Sequence, residues 1–226
     1  MKKVTLIGDC QTARIYEHWN PADCPVEFQA WGRGGTNSWS ANPSEMAKTN
    51  EISSGTEKGN NFYKGGNDQN DLKIHFNKIV DQDLILVWLG YVDVRQLLGK
   101  HKDADITVKQ MVERFTNYFK GSEIRFIEPL PQFKDMLMKF DELHDMFTYE
   151  ERIEQNKEFV NALKKYSEEY GLKQPITQEQ ICNAVGLTPD EFTSDKTPIY
   201  APHPLDTLDT PYMKKIYDLF IFEASK

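Results

Sequence analysis

Asp83-Leu84-Ile85-Leu86-Val87-Trp88-Leu89-Gly90 decides the fold. After the aspartate every residue up to the glycine is apolar. A strand with one wetted face alternates polar and apolar residues. An unbroken run bounded by a turn residue is instead expected at the centre of a parallel sheet covered on both sides. Working outward, Lys3-Val4-Thr5-Leu6-Ile7 is a shorter run ending at Gly8, Val26 to Trp31 is a second strand stopping at Gly32, and Glu123 to Glu128 is a fourth, closed by Pro129-Leu130-Pro131.

Helical spacing fills the gaps between these strands. Thr12 to Trp19 reads as a helix offering Ala13, Ile15, Tyr16 and Trp19 for packing, and Asn20-Pro21 ends it. Asp71 to Val80 is a second helix, and Val108 to Phe119 a third, with Val108, Met111, Val112, Phe115 and Phe119 along one side. About Glu150 to Tyr170 is a long amphipathic helix, with apolar positions at Ile153, Val160, Leu163 and Tyr170 and a stop at Gly171. Thr177 to Val185 is short and polar-capped. A final helix is capped by Asp209 or Thr210, carries Pro211 in its first turn and turns Tyr212, Ile216, Leu219 and Phe220 inward. Alternating strands and helices predict an α/β protein, a doubly wound parallel sheet in three α/β/α layers. No repeat interrupts it, so residues 1–226 are expected to form a single domain. The polar excursion at about 32–70, where Met46 and Ile52 are the aliphatic residues, is expected to be a functional loop or an insertion.

Bulk properties narrow the function classes. A formal charge of −8 works against a groove that tracks phosphates, so no nucleic-acid partner is expected. No stretch reaches the roughly 20 apolar residues of a membrane span, and the residues after Met1-Lys2-Lys3 are too few for a signal peptide's apolar region. Cys10, Cys24 and Cys182 are an odd number of cysteines, which suits reduced thiols and a cytoplasmic setting. The histidines at 18, 75, 101 and 144 lack metal-ligand spacing, so neither a metal nor another cofactor is expected.

In a doubly wound sheet, ligands bind beyond the carboxyl ends of the strands. Just past those ends stand Gly8-Asp9-Cys10, Gly32-Arg33-Gly34-Gly35-Thr36, Gly90-Tyr91-Val92-Asp93-Val94-Arg95 and Pro129-Leu130-Pro131-Gln132, with Ala201-Pro202-His203-Pro204-Leu205-Asp206 before the last helix. The glycine-rich turn after the second strand is neither G-x-G-x-x-G nor a P-loop, which argues against a nucleotide site. Cys10 falls where a helix is expected to start, and unpaired N–H groups there favour a thiolate.

This order of motifs resembles the SGNH (GDSL-type) hydrolases over nearly the whole chain. In that family a G-D-S turn after strand one carries the nucleophile, a glycine after strand two and an asparagine after strand three build the oxyanion hole, and a late D-x-x-H supplies acid and base. The resemblance implies a flavodoxin-like sheet order and an ester or thioester hydrolase, or an acyltransferase. Cys10 would be nucleophile, His203 base, and Asp206 or Asp195 a candidate to orient it. Here Cys10 replaces the serine, Val92 the asparagine, and Tyr200 the aspartate. Gly90, Asp93 and Arg95 are similar to a G-E-I-D-x-R form of the third motif. Oxyanion candidates are the N–H groups of Cys10, Gly32 and Gly34, with Asn37 standing in for the asparagine. Gly8, Asp9, Gly90, Asp93 and Arg95 would shape the site, with Arg95 either pairing to Asp93 or recognising an anionic group of the substrate. The substrate would be a small-molecule or glycan-linked acyl compound. The three replacements leave a second reading open, an inactive SGNH-like domain that binds a glycan or protein. Oligomeric state is not set by the sequence.

Overall fold

A computed structural model describes residues 1–9, 12, 24–32, 38, 41–45, 79, 81–96, 98, 102–131, 147–192 and 210–226. Its strands are β1 (Lys3–Gly8), β2 (Glu27–Gly32), β3 (Leu84–Trp88) and β4 (Glu123–Phe126). All pair in parallel, in the order β2-β1-β3-β4. A single parallel bridge, Ile127 to Ile176, continues the order beyond β4. Ile176 N–H donates to Phe126 O and Glu128 N–H to Ile176 O, both at 2.9 Å. The order turns back between β1 and β3, which makes that junction the switch point of a flavodoxin-like sheet.

The described helices are α1 (Tyr91–Gln96), α2 (Ala104–Tyr118), α3 (Tyr149–Glu169), α4 (Gln178–Val185), α5 (Pro189–Phe192) and α6 (Thr210–Ser225). Two buried clusters lie on opposite sides of the sheet. Val4, Leu6, Phe28, Leu84, Leu86 and Trp88 pack with Ile181, Cys182 and Val185 of α4 and with Ile216, Tyr217 and Phe220 of α6. Ile7, Ile85, Val87, Ile124 and Phe126 pack with Val108, Met111 and Phe115 of α2 and with Phe159 and Leu163 of α3. Successive strand residues point to opposite faces, so a continuous apolar run serves both layers. Every side chain of β3 is buried, as the opening stretch requires.

Local sequence explains the helix ends. Asp103 caps α2 by accepting from Ile106 N–H at 2.9 Å. Thr148 and Glu151 form a capping box at the start of α3, and Thr177 and Gln180 another at α4. Gly171 (φ 64°) lets the chain leave α3 through a left-handed turn, with Leu172 N–H donating to Ser167 O at 2.8 Å.

The outcome differs from the sequence reading in several places. The stretch 91–96, read as a rim segment, is the helix α1. The inward face of α3 is rotated from the expected one: Arg152, Gln155, Asn156, Phe159, Ala162, Leu163, Tyr166 and Ser167 are buried, while Ile153, Val160 and Tyr170 are only partly so. Three polar residues and an arginine occupy positions that periodicity reserves for apolar ones. Likewise α6 buries Tyr217, Ile221 and Ala224 beside Ile216 and Phe220, with Tyr212 and Leu219 at its margin. The expected helices at 12–19 and 71–80 lie outside the described residues, apart from Thr12, which is helical, and Ile79, which is buried.

Helices α2 and α3 run antiparallel to the strands. The end of α2 feeds β4 directly, and after α3 Lys173 pairs with Glu123 at the start of β4 (2.7 Å) while Arg125 Nε donates to Gln174 O (2.9 Å). Asp105, in the first turn of α2, accepts from Lys165 Nζ (2.8 Å) and Tyr166 Oη (2.6 Å) in the last third of α3. Those two bonds, lysine first, hold the Asp105 carboxyl below its ordinary range. At 1.5 Å per residue, the start of α3 therefore projects about 20 Å past the level of Asp105, toward the carboxyl rim of the sheet.

Candidate functional site

The rim is assembled at the β1–β3 switch point. Gly8 lies opposite Gly32 on one side and Trp88 on the other. The close approach requires glycine: a Cβ at Gly8 would fall 2.0 Å from Thr12 Oγ1 and 2.4 Å from Trp88 O. Asp9 follows, almost wholly buried, and its carbonyl accepts from Thr12 N–H at 3.1 Å, closing the turn out of β1. At the end of β3, Gly90 has φ 111°, and a Cβ there would meet the Phe159 ring of α3 at 2.6 Å. Only glycine combines that backbone with that neighbour.

Asp93 ties these pieces together. It sits in the first turn of α1, where the helix N-terminus favours a carboxylate. It is fully buried and its Oδ2 accepts from Ser38 N–H at 2.7 Å. The loop after β2 is thereby fixed to the helix after β3, across the end of β1. A charge-assisted bond inside the protein is a firm anchor. Glu128, just beyond β4, is also buried. It accepts from Gln178 N–H at 2.8 Å, lies 3.1 Å from Lys164 Nζ, and its carbonyl receives the Trp88 indole N–H at 3.2 Å.

Of the residues expected in the site, Gly8, Asp9, Gly32, Gly90 and Asp93 are thus gathered on one rim. Arg95 falls within α1, but its side chain, like Cys10, Gly34, Asn37, His203 and Asp206, lies outside the described structure. Thr12 and Ser38 join the rim unannounced. Both are fully buried, and the hydroxyl of each is without a hydrogen-bond partner. Thr12 was legible only as the first residue of a helix, and Ser38 sits in a polar stretch where nothing in the pattern marks one serine from another. Among the described residues no group of three or more His, Cys, Asp or Glu is placed to hold a metal ion, and no helix is long and apolar enough to cross a membrane.

No protein-family model and no curated protein matches the sequence. Solved structures do match the fold. The carbohydrate acetylesterase Est24 from Sinorhizobium meliloti superposes with a TM-score of 0.57 at 12% identity, covering 100% of this chain and 99% of that one. The acetyl xylan esterase AlAXEase gives 0.55 at 14% identity, covering 99% and 98%. The M. smegmatis aryl esterase gives 0.54 at 9% identity, covering 100% and 99%. What these matches share with the chain is the fold, a parallel sheet with helices packed on both faces. At these identities the likeness extends to the scaffold, and chemistry has to be argued from the site.

Proposed function

We propose that this chain is an SGNH-type hydrolase of small acyl esters that uses Cys10 as its nucleophile. The observation that supports the reading is that Gly8 lies opposite Trp88 at the end of β3, just before Gly90, while buried Asp93 in the helix that follows holds the loop after β2 through Ser38 N–H. Cys10 is the next residue in the chain after Asp9. Two of the structural neighbours are named as acetyl-ester hydrolases, which makes acetyl esters of small or glycan-linked alcohols the first substrates to try.

In this mechanism His203 takes the Cys10 proton and the thiolate attacks the ester carbonyl carbon. A C–S bond forms as the carbonyl electron pair moves onto oxygen. The N–H groups of Cys10 and of Gly32 or Gly34, with Asn37, stabilise that oxyanion. Collapse breaks the C–O bond, and the leaving alkoxide takes the proton from the His203 imidazolium, which Asp206 orients. Water, deprotonated by His203, then attacks the thioester, and the acid leaves with regeneration of the thiol. A thiolate–imidazolium pair depends less on a strong orienting aspartate than a serine does, which accommodates Tyr200 in the family's aspartate position.

The test is hydrolysis of p-nitrophenyl acetate with mass spectrometry of the trapped enzyme. Cys10→Ala should fall to background and His203→Ala should lose at least about a hundredfold in kcat/KM, the usual worth of a positioned base. Iodoacetamide at neutral pH should label Cys10 and spare Cys182, whose thiol is pushed up to about 11 by burial. An unlabelled Cys10, or labelling indifferent to His203→Ala, would count against the nucleophile. Saturable glycan binding without any turnover would favour the binding-module reading instead.

A further inference from the structure

The first half of α3 carries buried polar chemistry that the mechanism above does not use. Phe159 packs under Gly90, at the end of β3. On the same face, one and two turns nearer the amino end, come Asn156, Gln155 and Arg152. With a rise of 1.5 Å per residue, Asn156 and Gln155 stand about 4.5 to 6 Å further out than Phe159, beyond the strand end and over the rim. They are only 7% and 6% exposed. Yet Asn156 Oδ1 and Gln155 Oε1 have no hydrogen-bond partner. Arg152 beside them is equally buried and directs one guanidinium nitrogen, Nη1, to Phe147 O at 2.8 Å.

Buried amide oxygens left without a donor are uncommon, because they forfeit water without compensation. Two adjacent ones, overhanging the strand ends where ligands bind in this architecture, are best explained by a ligand that completes them. Each amide offers one acceptor and one pair of donors whichever way it is turned. The two open oxygens call for a hydrogen-bond donor, and a hydroxyl supplies one while it can also accept from the amide N–H groups beside them. We propose that Gln155 and Asn156 form a hydroxyl-binding wall of the site, which recognises the alcohol half of a substrate rich in free hydroxyls. The assignment rests on the ester-hydrolase reading only in taking that alcohol to be the leaving group.

The experiment is titration of the intact protein with methyl β-xyloside, a hydroxylated compound with no ester to cleave, followed by NMR line-shape or shift changes. Wild type should bind saturably. Asn156→Leu and Gln155→Met, both close in size to the originals, should each weaken binding about tenfold, the loss of one well-made hydrogen bond. Their melting temperatures should stay level or rise, since a buried amide oxygen without a donor has been removed. Absent saturable binding by the wild type, unchanged binding in both variants, or lost binding together with a lowered melting temperature would each overturn the proposal. Hydrolysis of p-nitrophenyl acetate is scored separately. Turnover without xyloside binding removes the hydroxyl wall alone, and xyloside binding without turnover removes the hydrolase reading alone.

Discussion

Gly90 shows how one residue joins the scaffold to the chemistry. Its positive φ turns the chain from β3 into α1, and its bare Cα receives the Phe159 ring. Gly90→Ala meets both obstacles at once and should cost about 2–4 kcal/mol of unfolding free energy, combining a strained backbone with overpacking. Adding Phe159→Leu should relieve the clash but not the backbone, so the double variant should recover part of the loss in urea denaturation. Full recovery would show that φ contributes nothing there. The glycine was readable in the sequence as a strand terminator, but its second duty was not: Phe159 lies 69 positions away, and no local pattern announces which ring will sit under which turn. Asp93 was readable as a motif residue, whereas its partner, a backbone N–H at Ser38, carries no side-chain signature at all.

At the scale of elements, apolar spacing can locate a helix and its inner face where the core alone decides that face. Helix α2 illustrates this, burying Val108, Met111, Val112 and Phe115 as spaced. Helix α3 departs from the rule because its first half lies beyond the sheet. Among the described residues no strand side chain reaches that height to select Ile153 and Val160, and the inward positions carry Arg152, Gln155 and Asn156. An overhanging half-helix depends more than usual on its own cap. Thr148 Oγ1 accepts from Glu151 N–H at 3.2 Å, and Glu151 returns a carboxylate to Thr148 N–H at 2.6 Å. Thr148→Ala should therefore cost about 1 kcal/mol. The loss should appear as faster amide exchange over 149–156, with little change over 160–169, where Leu163 and Tyr166 are buried against the sheet layer. Uniform acceleration along the helix would mean that the overhang has no separate stability.

At the scale of the molecule, the three-layer sheet was legible because parallel strands buried on both faces must be continuously apolar, and because crossover helices must separate them. The layer closed by the final helix depends on contacts that spacing does not reveal. Trp88 meets Phe220 edge-on at 5.2 Å between centroids, and Phe28 meets Tyr217 at 5.4 Å. The charge at the end of that helix is set in the same way. Glu223 is buried, accepts from Arg125 Nη1 of β4 at 2.6 Å, and is paired with Lys226 at the same distance. Burial alone pushes its carboxyl up, but the bonds from Lys226 and Arg125 outweigh it, leaving the pKa below the ordinary value. A carboxyl depressed in the folded state binds fewer protons there than in the unfolded chain, so its stabilisation is complete above the unfolded value near 4.5 and disappears as pH falls through the folded one. Glu223→Gln leaves Arg125 with a neutral partner in a half-closed setting and should cost about 2–4 kcal/mol at pH 7. The gap between wild type and variant in urea midpoints should hold from pH 7 to about 5.5 and narrow steadily below the unfolded value. A gap that persisted unchanged at pH 3 would mean that packing of the side chain, and not its charge, fastens α6 to the sheet.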